Sequence, residues 1–473
     1  MKNISVTFRL LPIGLAVAGG LSLVSLLLLE GRGANLSLRV PIAENMARPS
    51  EDAGTFAGEL TTSGGIASAL PGTWPGFRGA DLNGIITADL PAPLSRQWET
   101  DPPGVLWDIE LGEGYAGAAV AGGRVYVLDY DQEKQGDTVR CLSLDDGREI
   151  WRYFYKVKIK RNHGMSRTVP AVAGNCVITF GPKCHVVCLD AATGELRWQR
   201  NLVYEDGAEV PAWYAGQCPL VDGDRLILGV GGDDALMMAL DYRTGEVIWQ
   251  TPNPHTWQMT HSSVTPMDLG DEKTYVYCAS GGVVGVSATD GRLLWEYPDW
   301  RINIANVPTP VVIDAERIFL SGGYNAGSMM LAVKRAGEAY VPEALFKLGP
   351  RVFGSDQQTP IFYDGHIYGV RPDEQLACLD LDGQIRWTST SASKFGLGPY
   401  TIVNGLIYVM DDDGHLTVAR ATPDKYTPVT KARVLQGHES WGPMAFASGR
   451  LIVRDLTRMV CLKITEKEPG NDS

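Results

Sequence analysis

The sequence predicts an all-β fold, an eight-bladed β-propeller of four-stranded antiparallel sheets behind an N-terminal hydrophobic helix. Three observations carry that expectation. A unit of nine or ten residues recurs: an apolar run, a turn built on Asp, Thr and Gly, and a second run ending in Trp. Short apolar hairpins alternate with it along the chain. The 54 Gly and 28 Pro in 473 residues suit a chain that turns often. Self-similarity at a fixed period outranks any single motif in assigning a fold.

The unit reads Leu189-Asp190-Ala191-Ala192-Thr193-Gly194-Glu195-Leu196-Arg197-Trp198, and it returns at Leu142 to Trp151, Leu240 to Trp249, Val286 to Trp295 and Leu379 to Trp387. In each copy a Gly (147, 194, 245, 291 or 383) stands four residues before the Trp. Eight hairpins accompany the units, with turns near 123, 174, 223, 271, 315, 365, 405 and 449, spaced 40 to 51 residues apart. Most are Asn-Gly or Asp-Gly-like turns between two apolar runs, the strongest short-range hairpin signal. Two hairpins make four strands, one blade. The second hairpin is degenerate around 330–346 and 416–430, which leaves seven blades as the alternative count. Met459 to Ile464 is placed to close the ring with the N-terminal part. Gly supplies the positive φ of the turn, and Asp and Thr bond nearby backbone. Trp at the end of an outer strand brings a large apolar area and one N–H, so it is read as glue between blades.

Composition divides the chain into four parts. Residues 1–30 hold Lys2 and Arg9 and then a twenty-residue uncharged run, 10–29, long enough to span a bilayer. This reads as an uncleaved membrane anchor, with a cleaved signal peptide as the alternative. The flanking charges put the body outside the cytoplasm. No cysteine stands near the run for lipidation. Residues 31–72, rich in Gly, Ala, Ser, Thr and Glu, read as a flexible tether. The propeller is assigned to 73–466, with Trp74 to Gly84 as an aromatic, glycine-rich segment packed on it. Residues 467–473 read as a disordered tail. The expected location is the cell envelope, inner-membrane anchored with the propeller on the periplasmic side, or secreted if the leader is cleaved.

The net charge of −13 argues against a nucleic-acid partner. One basic cluster, Lys156 to Arg167, alternates Lys156, Lys158 and Lys160 with Val157 and Ile159, as an edge strand protected from aggregation does; anionic lipid or an acidic partner is the functional alternative. The eight cysteines are spread out, and most read as small buried strand residues, with disulfides open to an exported body. Asp411-Asp412-Asp413-Gly414 and Gly231-Gly232-Asp233-Asp234 lack the ligand spacing of a Ca²⁺ loop and read as turns. No nucleophile elbow, zinc-protease motif or P-loop is present, and no metal centre is expected.

The repeated units resemble the tryptophan-docking repeat of the pyrroloquinoline quinone (PQQ)-like propeller superfamily over nearly all of residues 100 to 465. The superfamily holds enzymes and scaffolds, so the likeness speaks to fold more than to activity. Its quinoprotein alcohol and glucose dehydrogenases imply PQQ with Ca²⁺, a catalytic Asp and, in the alcohol enzymes, adjacent cysteines. None of these maps onto this sequence, and no two cysteines here are adjacent. The scaffold branch, which includes the propeller lipoprotein of the outer-membrane β-barrel assembly machinery, is the more similar in size and repeat.

In such rings the loops leading into the inner strands converge on one channel mouth. Here they hold Ser166 and Arg167, Tyr214 and Gln217, His261 and Ser262, Asn303 and Asn306, Asp356, Gln357 and Gln358, Lys394, and Glu439 and Trp441. Of these, Arg167, Gln217, His261, Asn303, Asn306, Asp356, Gln358, Lys394 and Trp441 are the candidate ligand contacts; bonding to one another and to channel water is the bland alternative. His255, Trp257, Trp300 and Arg301 could build a stacking platform, though packing on the propeller surface is the commoner use. The expected function is an envelope binding or scaffold module for a protein or polar ligand at the mouth. The alternative is a PQQ-dependent alcohol or sugar dehydrogenase with a divergent site.

Overall fold

The computed structural model describes residues 56–88, 90 and 92–466. The expected anchor at 10–29, the first part of the tether and the tail at 467–473 lie outside the described residues. Within them, strands form eight sheets, each contributing one blade. The blades span 119–156, 171–201, 220–252, 265–297, 311–348, 361–388, 400–433 and, for blade 8, 445–463 with Gly104–Glu110. In blades 1 to 7 the chain runs from the innermost strand outward. Blade 8 takes its outer strand, Gly104–Glu110, from the N-terminal side, paired antiparallel with Arg458–Lys463. Its inner strand Ala445–Ala447 adjoins Ala119–Ala121 of blade 1, and the ring closes there. The eight-blade count holds. Among the described residues, helix is confined to one short element, Leu202–Asp206, and no helix is long and apolar enough to cross a membrane.

The repeated unit packs as its chemistry demands. Asp190 Oδ1 accepts from the backbone N–H of Ala192 and Thr193, both at 2.9 Å, which fixes the turn. Gly194 takes φ +79°, and a Cβ there would come within 2.6 Å of the Trp151 indole of blade 1. Trp151 Nε1 donates to the Ala191 carbonyl at 3.3 Å. The same joint recurs with Trp107 on Leu144 (3.0 Å), Trp198 on Tyr242 (3.0 Å) and Trp249 on Ala288 (3.2 Å). Each outer-strand Trp thus buries its ring and satisfies its N–H on the turn of the next blade. The exception lies where the unit is degenerate. Blade 5 extends its second hairpin, Gly327–Ala336 with Ala339–Leu348, and offers no such turn to Trp295. The Trp295 ring sits over Gly285 of its own blade instead.

Two readings are corrected. Residues 56–72 are not free tether. Gly58–Thr62 pairs antiparallel with Glu149–Lys156 as a fifth strand on blade 1, and Ser68 N donates to the Gly123 carbonyl at 2.9 Å. The compositional signal failed because this strand is held by backbone pairing and leaves its side chains exposed. It also covers the edge that the lysines were expected to guard. The blade 1 strand ends at Lys156, and Val157 and Ile159 are buried in the loop beyond it.

All eight cysteines are buried free thiols. Asp411 to Gly414 and Gly231 to Asp234 form the turns between second and third strands in blades 7 and 3.

The segment from Trp74 to Ile86 does more than pack on the body: it enters the ring. Trp74 exchanges backbone bonds with Val120 of blade 1, each 2.8 Å, and Val172 N of blade 2 donates to the Pro75 carbonyl at 2.7 Å. Ile85–Ile86 runs parallel to the inner strand of blade 7. Arg78, half-buried at the centre, donates to the carbonyls of Leu82 (3.0 Å), Asn83 (2.9 Å), Thr359 (3.1 Å) and Pro360 (3.1 Å). Burial lowers its pKa to about 10, against the opposing effect of Tyr400, so it stays cationic at neutral pH. The channel is therefore plugged from the face that carries the inner-hairpin turns.

Candidate functional site

The opposite face carries the loops between blades and is where the candidate residues lie. Arg167, in the loop from blade 1 to blade 2, donates through Nη2 to the carbonyls of Asn162 (2.6 Å) and His163 (3.2 Å). Its guanidinium stands 5.9 Å from the centre of the Tyr214 ring. Burial lowers its pKa to about 10, while Tyr115, Tyr214 and Tyr324 oppose that shift. Tyr324 belongs to blade 5, so Arg167 senses a group from across the mouth. His261 is held to about 3, by burial first and by Arg167 second, and is neutral.

On the rim of blades 7 and 8, the Tyr115 hydroxyl donates to Glu439 Oε2 at 2.8 Å, and its ring lies 5.1 Å from that of Trp441. Trp441 Nε1 donates to Asp412 Oδ1 at 2.7 Å. Burial, and then the bond to Glu439, push the Tyr115 phenol well above its usual range. On blades 5 and 6 an open cavity of about 500 Å³ is lined by Tyr324, Asn325, Arg351, Asp356 and Asp373 among others. Burial raises the Asp356 carboxyl, opposed only by a backbone bond.

The nine candidates therefore divide. Arg167, His261, Asp356 and Trp441 come to the mouth. Gln217 clamps Gly229 of blade 3 through both its N–H (2.8 Å) and its carbonyl (3.3 Å). Gln358 donates to the carbonyls of Gly396 (3.1 Å) and Gly398 (3.0 Å). Asn306 is buried, and its carbonyl accepts from His261 N at 3.1 Å. Asn303 is exposed on the same loop. Lys394 lies on the surface of blade 6, paired with Glu374 at 2.9 Å. His255 and Trp257 stack on each other at 5.2 Å and, with Arg301, pack on the blade 4 turn at Gly281 rather than at the mouth. The tyrosines at 115 and 324 escaped the sequence reading. Their signal was an aromatic set among glycines, as in Gly114-Tyr115-Ala116-Gly117 and Gly322-Gly323-Tyr324.

These residues do not fit PQQ with Ca²⁺. A quinone of that size needs a slot of about 300 Å³ or more. The cavities beside the plug, lined by Phe77 and Arg78, measure about 80 and 20 Å³. The larger cavity on blades 5 and 6 has Tyr324 as its one lining aromatic. Among the described residues, no three His, Cys, Asp or Glu side chains form a group able to hold a metal ion.

Comparison with known proteins separates fold from family. A europium-containing methanol dehydrogenase superposes with a TM-score of 0.58 at 13% identity, covering 81% of this chain and 89% of that one. BamB from Moraxella catarrhalis superposes with a TM-score of 0.53 at 16% identity, covering 76% and 99%. Both likenesses speak to the propeller alone. By sequence, the outer membrane protein assembly factors BamB of Yersinia pestis and of Moranella endobia (strain PCIT) are each 23% identical to this chain. The first match covers 75% of this chain and 82% of the relative, and the second covers 58% and 69%. The family model described as outer membrane protein assembly factor BamB matches residues 96–206 and 135–389, together more than half of the chain, and the chain belongs to that family.

Proposed function

We propose that the chain is a cell-envelope scaffold in outer-membrane protein assembly, with the loop-face mouth as the surface that receives a protein partner. The observation that carries this reading is the asymmetry of the channel. One end is filled by the chain's own Trp74 to Ile86. The other presents Arg167, Tyr214, Tyr324 and Trp441, residue types that dominate binding energy at interfaces, beside the Asp356 cavity. The BamB relatives supply the process. Residues 10–29 would tether the scaffold to a membrane.

Photo-cross-linking from positions 214 and 324 in cells tests it. The expected result is a cross-link to a component of the outer-membrane assembly machinery, with fewer folded outer-membrane barrels when the chain is depleted. Unchanged barrel levels and no such cross-link would overturn it. Carbonate extraction of the full chain and of a form lacking residues 1–30 tests the tether: only the full chain should stay with membranes.

A further inference from the structure

Blade 1 meets blade 2 around a carboxyl group with no cationic partner. Asp137, at the start of the third strand of blade 1, is 0% exposed. Neither of its oxygens receives a hydrogen bond of standard geometry. Its neighbours are polar but uncharged. The Tyr155 hydroxyl comes from the outer strand of the same blade. Gly181 faces it from blade 2, where a Cβ would lie 2.7 Å from Asp137 Oδ2 and 3.0 Å from the Tyr155 hydroxyl. Thr179 Oγ1 is buried beside Tyr155.

The charged groups in reach do not help. Asp129, one strand away, repels the carboxylate and is itself paired with Arg140 at 3.3 Å. His185 is held near 4 by burial, and further by Lys183, so it is neutral. Burial dominates, and the Asp137 carboxyl is raised from 3.8 to about 7, partly opposed by Tyr155.

A phenylalanine ring caps this cluster. The Phe56 ring lies 4.8 Å from that of Tyr155 and 4.6 Å from that of His185. Behind it runs Gly58–Thr62, whose side chains are all exposed and whose register on blade 1 is Gly58 opposite Tyr155 to Thr62 opposite Trp151. Leu60 reaches Gly194 of blade 2, and Glu59 points to solvent. This strap is held by edge pairing, by Leu60 and by the Phe56 cap, and beyond Thr62 by Ser63 N on the Ile150 carbonyl (2.8 Å) and Gly65 N on the Glu149 carbonyl (2.9 Å); it adds to the outer edge of blade 1 and lies between none of its four strands. Lifting it takes Phe56 off the Tyr155 ring, whose hydroxyl lies beside Asp137.

We propose that Phe56–Thr62 is a proton-controlled strap, seated while the Asp137 carboxyl is protonated and released when it ionises, which bares the outer edge of blade 1. The sign follows from linkage. The seated state binds the proton more tightly than the lifted state, where the carboxyl returns toward 3.8. Seating is therefore strongest below that value and weakens as pH rises through about 7. The full shift corresponds to about 10³ in the equilibrium, of which up to roughly 10² falls between pH 5 and pH 8.

Amide hydrogen exchange on the full chain at pH 5 and pH 8, corrected for intrinsic base catalysis, tests the strap. Protection over Gly58–Thr62 should fall at least about tenfold, while Ala235–Asp241 of blade 3 stays unchanged. Asp137→Asn should keep the strap protected at both pH values, and Phe56→Ala should leave it unprotected at both. Wild-type protection that ignores pH overturns the proposal without recourse to any variant. So does a pH-dependent loss that survives in Asp137→Asn.

Discussion

The two ends of the channel are built on opposite terms. At the plugged end the donors of the inserted segment are spent on the chain itself. Arg78 gives its N–H groups to four carbonyls, Trp74 completes the inner edge of blade 1, and Ile85–Ile86 extends that of blade 7. At the open end Arg167 satisfies two carbonyls of its own loop and faces tyrosines with the rest. Asp356 keeps a raised carboxyl at the edge of a 500 Å³ cavity. Buried polar groups fully paired inside a chain hold that chain together. Polar and aromatic groups left facing a cavity serve something outside it.

Substitution separates the two ends. The largest effect is expected at Arg78→Met, which leaves the half-buried carbonyls at 82 and 83 and the buried ones at 359 and 360 without their donor. At about 1–3 kcal/mol for each orphaned group, with incomplete additivity, the loss is about 4 kcal/mol or more, read as a fall in the denaturant midpoint. Trp151→Ala, at a joint on the plugged face, should cost about 3–5 kcal/mol by cavity formation, again measured by equilibrium denaturation. Arg167→Ala, which orphans one half-buried and one exposed carbonyl, should cost about 1–2 kcal/mol in the same assay, yet remove most of the cross-linking from position 214. A large stability loss at Arg167 would erase the contrast between the ends. Lys394→Ala, on an exposed ion pair, should change stability by under about 0.5 kcal/mol and leave cross-linking intact. A further check concerns the quinone. Titration with PQQ and Ca²⁺ should give no change in the cofactor spectrum, because the 80 Å³ space beside the plug is too small for the quinone and the 500 Å³ cavity has one aromatic, Tyr324, in its lining.

The sequence carried the fold because the joint is written in every copy. Gly four residues before Trp is a spacing, and spacing survives in one dimension. It failed where function of the chain segment depends on backbone. Gly58–Thr62 contributes main-chain bonds and almost no buried side chain, so its composition resembles a linker. The site was half legible for the same reason. A polar residue before an inner strand is visible, but whether it turns inward as a clamp, as Gln217 and Gln358 do, or toward the mouth, as Trp441 does, depends on partners 12 to 40 residues away in the chain. Arg78 could not be read as a plug at all, since its acceptors at 359 and 360 lie on the far side of the ring.

The seam in blade 8 has a consequence for how this protein is made. Gly104–Glu110 leaves the ribosome long before its partner Arg458–Lys463. Until that pairing forms, Trp107 has its dock on Leu144 of blade 1 but no sheet behind it. A ring of nearest-neighbour blades could otherwise assemble one blade at a time, and the seam converts the last step into a closure across some 350 residues of chain. Loop entropy makes such a contact slow to find rather than costly to keep. The nascent chain therefore passes through an open arc with one exposed β-edge at each end, and the interval before closure is when it most needs protection from association with other chains.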